Sequence, residues 1–242
     1  MEDSVGEQTS PGVEKVLARL HESTIGQKAL MALTGLALVG FVFAHMAGHL
    51  IMFQGAEAYN AYAHNLQSLG ALKWAARAGL LAVALIHVFT AIQLTRRQRM
   101  ARPVQYEVNK WVKATLGART MRVTGAIVFF FILWHLMHFT ILSAATNGFV
   151  APPFDLHGVP VPDVYGRMLF AFQRPFITVV YVLCVGLLSL HLSHGIESSL
   201  QSLGVLNSTY RPMIKKLAPL LAGLLFAGFA VVPLAILAGV IK

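Results

Sequence analysis

Charged residues and cysteines are both scarce in this chain. Only 12% of its 242 residues are charged whereas 56% are hydrophobic, and this balance excludes an ordinary soluble domain and indicates an integral membrane protein. The single cysteine, Cys184, lies in an apolar stretch, so a disulfide framework is excluded. Residues 1–22 are polar and lack a short apolar run that ends in a small-residue cleavage site, so we expect no signal peptide.

Five apolar runs are each long enough to cross the hydrocarbon core of a bilayer, which takes about 20 helical residues. They cover about 28–53, 73–95, 122–146, 173–197 and 216–241. Because a backbone in lipid must pair its own polar groups, we predict five transmembrane helices, in one membrane domain over 28–242 that follows a cytoplasmic segment, 1–27. The polar stretch 55–70 predicts a short interfacial helix. The Gly- and Pro-rich stretch 147–163 predicts a loop.

The basic residues are distributed unevenly between the two faces of such a protein. Fourteen of the nineteen fall in the N-terminal segment and in the loops after the second and fourth spans: Lys15, Arg19, Lys28, Arg96, Arg97, Arg99, Arg102, Lys110, Lys113, Arg119, Arg122, Arg211, Lys215 and Lys216. Basic loops remain on the cytoplasmic side, so we expect a multi-pass protein of the cytoplasmic (inner) membrane with its N-terminus inside and its C-terminus outside. Topology and lipid headgroups then explain the net charge of +9 without nucleic acid, and a docked partner subunit is a further possibility.

Four of the ten histidines lie one on each of the first four spans: His45, His87, His135 and His191. At about 1.5 Å of rise per residue, His87 and His191 lie roughly 9 to 14 Å from the basic face, and His45 and His135 about 20 to 25 Å from it. A polar side chain at membrane depth indicates a functional site, and imidazole is a common metal ligand. Two pairs of ligands at two depths are what two stacked bis-histidine haems need.

Glycines lie at the same two depths. Gly35 and Gly125 fall at the level of His87 and His191, whereas Gly79 and Gly186 fall towards the level of the other pair. These positions could leave room for a haem, but glycine also serves close helix packing in membranes.

Three spans carry a second histidine, three or four residues beyond the first: His49, His138 and His194. Residues at this spacing share a helix face, so spacing alone does not choose the ligand within each cluster. The second histidine could make a structural hydrogen bond, or it could contact a haem propionate or a quinone.

These motifs together resemble the single-chain, five-helix, diheme cytochrome b anchors of succinate dehydrogenase and fumarate reductase, the succinate:quinone oxidoreductases. The motifs are KALMALTGLALVGFVFAHMAGHL around His45, IHVFTAIQL around His87, WHLMHFT around His135 and HLSHGIESSLQSLG around His191. The resemblance runs from about Ser23 to the end of the chain. It implies an all-α membrane fold in which spans one to four surround two haems b and span five packs outside. The first histidine of each cluster would be the axial ligand, in the pairs that depth also indicates.

The resemblance further implies partners and a quinone site. The chain has no flavin-binding glycine fingerprint and no cysteine cluster for iron–sulfur ligation, so dicarboxylate chemistry would belong to a flavoprotein subunit and an iron–sulfur subunit. The anchor would transfer electrons between them and menaquinone or ubiquinone. Candidates for quinone, proton or propionate contacts are His49, Glu57 and His64 near the outer haem, and Ser23, Gln27, Lys28 and Arg122 near the inner one.

Several alternatives stay open at this point. Some quinol-oxidising relatives have a glutamate where this chain has Ser189, which favours succinate oxidation over fumarate reduction. A cytochrome b subunit of a hydrogenase or formate dehydrogenase would share the chemistry. A membrane di-iron desaturase or hydroxylase would need its histidine boxes to converge on one site, and a metal transporter would need intramembrane carboxylates, which these spans almost lack.

Overall fold

Five long helices dominate the computed structural model, which describes residues 23–101, 104, 114–141, 148–150 and 152–242. The helices in chain order are α1 Thr24–Leu50, α2 Ala56–Gln67, α3 Ala71–Met100, α4 Leu116–Leu136, α5 Val164–Phe172, α6 Pro175–Ser202 and α7 Arg211–Leu237. A 3-10 turn, Ile51–Gln54, extends α1, and a π-helical turn, Met137–Ile141, extends α4. Five of these helices, α1, α3, α4, α6 and α7, are long and apolar enough to cross a membrane. The five predicted spans are thus confirmed.

The helices extend beyond the apolar runs at the basic face. Helix α3 continues through Arg96, Arg97 and Arg99, and α4 begins six residues before the predicted position 122. Arginine is a good helix former, so the apolar run ends before the helix does. Ser23 caps α1 by accepting a hydrogen bond from the backbone N–H of Gly26, at 2.9 Å. The predicted segment 1–27 lies mostly outside the described residues, as does the predicted end of the third span.

The stretch 147–163, which was predicted as a loop, contains a short β-hairpin. The loop prediction is wrong for the six strand residues, which are also the described exception to the predicted all-α fold. Strands β1, Phe154–Leu156, and β2, Val159–Val161, pair antiparallel, with Leu156 opposite Val159. His157 and Gly158 form the two-residue turn with φ values of 54° and 83°. Two positive φ angles define a type I′ turn, whose twist suits a hairpin. Gly158 supplies one of them at no steric cost, and its N–H donates to the Asp155 carboxylate at 2.6 Å.

The packing of the spans places α1 and α6 at the centre. Helix α1 packs against α3 on one side and α6 on the other, and α4 packs along α6. Helix α7 packs against α6 and α1, where Ala218 and Ala222 face Leu192 and Ile196. Small residues allow this close approach, and the Ser189 hydroxyl on α6 donates a hydrogen bond to the Ala222 carbonyl on α7.

The end of the bundle opposite the basic face is covered by α2, the hairpin and α5. Asn60 on α2 is 1% exposed and joins these elements. Its side-chain carbonyl accepts from the N–H groups of Val164 and Tyr165 at 2.9 and 3.0 Å, and its amide donates to Asp163 at 3.1 Å. The predicted short helix is therefore confirmed, and one side chain ties it to the first turn of α5.

Asn60→Ala should destabilise the folded protein by about 1–3 kcal/mol, because the N–H groups of Val164 and Tyr165 and the Asp163 carboxylate each lose a hydrogen bond to a buried amide. A lower midpoint of unfolding in a detergent or thermal titration would show this. Asn65→Ala is the matched control, since Asn65 is exposed on the same helix. Equal midpoints for the two variants would contradict the assigned role of Asn60.

Candidate functional site

The histidines of α1 and α4 that were expected in the outer level face each other. The ring centroids of His45 and His135 are 6.0 Å apart, with an interplanar angle of 79°. Two imidazoles on opposite sides of one metal ion, with metal–nitrogen bonds of about 2 Å, would have their centroids about 6 Å apart. The observed separation of this outer pair therefore fits two axial ligands of one haem.

A second histidine and a tyrosine extend from the outer pair towards the membrane surface. His49 Nε2 lies 3.2 Å from His45 Nε2, and His49 Nδ1 lies 2.9 Å from the Tyr59 hydroxyl. Tyr59 is buried on α2, and burial raises the pKa of its hydroxyl, which keeps it protonated. A metal bound to His45 Nε2 would replace the His45–His49 contact, and His49 would then be able to bond a ligand nearby.

His135, the other member of the outer pair, contacts Tyr181 of α6. The Tyr181 hydroxyl lies 2.9 Å from His138 Nδ1 and 3.4 Å from His135 Nδ1. His138 is 2% exposed and stacks on Trp134 with ring centroids 5.2 Å apart. This arrangement favours a structural role for His138 and leaves His135 as the ring that faces His45.

The two histidines that were expected at the inner level, the inner pair, each contact a threonine of a neighbouring helix. His87 Nδ1 on α3 lies 3.2 Å from Thr34 Oγ1 on α1, and His191 Nδ1 on α6 lies 3.2 Å from Thr124 Oγ1 on α4.

The glycines expected at the inner level lie beside the inner rings. A Cβ added at Gly35 would be 3.2 Å from His87 Cε1, and one at Gly125 would be 3.3 Å from His191 Cε1. The two residues thus leave room for an imidazole, where the sequence suggested room for a haem. Gly186 instead faces Phe226 of α7, and no described atom lies within 4 Å of a Cβ added at Gly79.

The candidates near the basic face have ordinary partners. Ser23 is a helix cap, Lys28 is exposed, and Arg122 donates to Gln98 at 3.0 Å. Gln27 is 1% exposed and its amide donates to Gln93 at 2.8 Å. These contacts join α1, α3 and α4 at one end of the bundle, so Gln27 and Arg122 lie on the same side as the inner pair.

The remaining candidates are Glu57, His64 and His194. The Glu57 carboxylate is exposed and pairs with His157 of the hairpin at 3.1 Å, and His64 lies near the end of α2. His194 lies where α6 contacts Gly117 of α4 and interacts with Glu197. Among the residues that the structure describes, no three His, Cys, Asp or Glu side chains cluster as ligands of one metal ion.

Sequence reasoning missed the side chains that hold the rings, namely Thr34, Thr124, Tyr59 and Tyr181. A signal for the threonines was present, because the pattern T-G-x9-H occurs twice, at Thr34 to His45 and at Thr124 to His135. The tyrosines had no comparable signal, since their partners come from other helices.

Comparison with known proteins gives one partial similarity. A 61-residue stretch is 39% identical to the succinate dehydrogenase hydrophobic membrane anchor subunit of Halobacterium salinarum. It covers 25% of this chain and 46% of that relative, so the match spans less than half of the curated protein. No family model and no solved structure matches the chain. The similarity supports the membrane-anchor family and does not bear on haem.

Gly35→Leu should destabilise the bundle by about 1–3 kcal/mol, because the new side chain would have to displace the His87 ring. Gly40→Leu is the matched control on the same helix, since no described atom lies within 4 Å of a Cβ added there. Unfolding midpoints in detergent measure the difference. Equal stability of the two variants would contradict the close approach of His87 to Gly35.

Proposed function

We propose that this chain is the cytochrome b membrane anchor of a succinate dehydrogenase. It would bind two haems b, which transfer electrons between a soluble iron–sulfur subunit and membrane quinone. The observation that carries the proposal is the facing pair His45 and His135 on α1 and α4, and it is supported by His87 and His191, which lie on α3 and α6 nearer the basic end. The outer pair has the ring separation that two axial ligands need. The partial similarity to a succinate dehydrogenase anchor supports the same assignment.

In this proposal His87 and His191 hold the inner haem, and His45 and His135 hold the outer one. The haems supply one-electron transfer across the membrane. The apolar spans keep water from the ligands, and low polarity together with the axial imidazoles tunes the two potentials. His49 and Tyr59 provide exchangeable protons beside the outer pair, as quinone chemistry requires, because reduction of a quinone takes up protons.

The proposed partners dock at the basic end of the bundle, which we place on the cytoplasmic side. Its described basic residues are Lys28, Arg96, Arg97, Arg99, Arg119, Arg122, Arg211, Lys215 and Lys216. Lys15, Arg19, Arg102, Lys110 and Lys113 of the same set lie outside the described residues. Arg96 and Arg99 are exposed at the end of α3. A charged rim of this kind steers and orients an acidic partner surface.

The wild-type chain should contain about two haems b, and His87→Ala and His135→Ala should each lose one, because each variant removes one axial ligand. Pyridine haemochrome quantitation and a dithionite-reduced spectrum measure this. The control is His157→Asn in the exposed hairpin turn, where asparagine tolerates the positive φ. A wild-type chain without haem would overturn the proposal. Bound non-haem iron in its place would favour the di-iron alternative.

Reversing charge in the triple variant Arg96→Glu, Arg97→Glu, Arg99→Glu should release the flavoprotein and iron–sulfur subunits and leave both haems bound, because the mutated side chains lie at the end of α3, beyond the haem ligands. Co-purification of the subunits with the anchor is the measurement. The double variant Lys73→Glu, Arg77→Glu, at the opposite end of the same helix, should retain them. Unchanged co-purification of the triple variant would exclude this docking surface.

A further inference from the structure

We infer that Thr34 and Thr124 are positioning residues, each of which fixes the tautomer and the orientation of one inner imidazole across a helix interface. The inference rests on the proposed haem ligation by His87 and His191. In this inference α1 and α4 each carry one outer ligand and also orient one inner ligand that belongs to another helix.

The direction of each hydrogen bond follows from the single proton of a threonine hydroxyl. The Thr34 hydroxyl lies 2.7 Å from the Leu30 carbonyl oxygen, which is the usual length for an O–H donor, and 3.2 Å from His87 Nδ1. The shorter contact takes the proton. The hydroxyl oxygen therefore accepts from the imidazole, beside the Met31 backbone carbonyl as a second acceptor of the same ring, and His87 carries its proton on Nδ1.

Thr124 repeats this arrangement in α4. Its hydroxyl donates to the Thr120 carbonyl at 3.0 Å, and its oxygen lies 3.2 Å from His191 Nδ1. Thr90, a buried threonine of α3, shows that the donation to the preceding turn needs no imidazole, since its hydroxyl donates to the Ile86 carbonyl at 2.7 Å. In both inner rings Nε2 is then left as the unprotonated nitrogen, which is the form that binds iron.

A glycine follows each of the two threonines and controls how close the ring comes. The Cε1 atoms of His87 and His191 would lie 3.2 and 3.3 Å from a Cβ at Gly35 and Gly125. A side chain at either position would require the ring to shift by a few tenths of an ångström. The dipeptide Thr-Gly occurs in both helices, at 34–35 and at 124–125. Its threonine supplies the hydrogen-bond acceptor for the imidazole, and its glycine leaves room for the ring.

The outer rings are held differently. His135 Nδ1 lies 3.4 Å from a tyrosine hydroxyl that bonds His138 more closely, and His45 contacts His49 through Nε2. The threonine acceptor thus distinguishes the inner pair from the outer pair. A ligand whose Nδ1–H is donated to an acceptor is a more basic ligand and stabilises the oxidised metal, so each threonine lowers the potential of the inner haem.

The test uses Thr34→Val and Thr124→Val, which preserve shape and remove the hydroxyl acceptor, and leave only the backbone carbonyls of Met31 and Met121 near the two rings. Redox titration of the purified anchor should show a higher midpoint potential for one haem and an unchanged potential for the other, with an altered low-spin EPR signal for the first. Transfer of that haem to apomyoglobin should be about 10- to 100-fold faster, since second-shell changes typically weaken metal binding by this factor.

Thr34→Ser and Thr124→Ser restore the acceptor and should restore wild-type values, and Thr90→Val should change none of them. Loss of the inner haem alone in a valine variant, with both haems kept in the serine variant, also supports the inference. Unchanged potentials and EPR signals in both valine variants would overturn it, as would equal effects of serine and valine. Failure of the proposed function is a separate result, because the wild-type chain would then bind no haem.

Discussion

The whole bundle depends on giving the imidazole nitrogens of the apolar spans a hydrogen-bond partner from the protein. A neutral histidine has one donor and one acceptor nitrogen, and a nitrogen without a partner in such an environment costs free energy. Thr34 and Thr124 partner one nitrogen of each inner ring, and tyrosines and a second histidine serve the outer level. In the tautomer that we infer for the inner rings, Nδ1 carries the proton, and Nε2 keeps the lone pair that a metal would use.

The helix packing is arranged to make these side-chain contacts possible. Gly35 and Gly125 bring rings against neighbouring helices, and Ala218 and Ala222 bring α7 against α6. On the far side Asn60 ties α2 to α5, so that Tyr59 stands beside His49. Close backbone approach and a single buried amide thus fix where the polar groups meet. Rotating one helix by a residue would separate several of these contacts together.

The two ends of the bundle differ in chemistry, which suits the proposed transfer of electrons between a soluble partner and a membrane-soluble quinone. One end has exposed arginines and lysines above the inner pair. The other has a tyrosine and histidine chain beneath a cover of short helices and a hairpin. If electrons pass between the two levels, the inner pair is the nearer one to a docked partner. The different partners of the inner and outer rings would give the two haems different potentials.

The sequence by itself determined the five long apolar helices, the short helix after the first of them and the presence of one histidine on each of the first four, because hydropathy and the helical period act along one chain segment. It also placed Gly35 and Gly125 at the inner level. The hairpin was missed because the Pro and Gly content of this stretch predicted a loop, and the two-residue turn His157–Gly158 was not recognised within it. Only the tertiary structure decided that His135 rather than His138 faces His45, that Glu57 pairs with His157, and that Thr34 and Thr124 hold the inner rings. Each of these depends on how two helices or loops distant in sequence are oriented, and a pattern within one segment carries no information on the rotation of its neighbour.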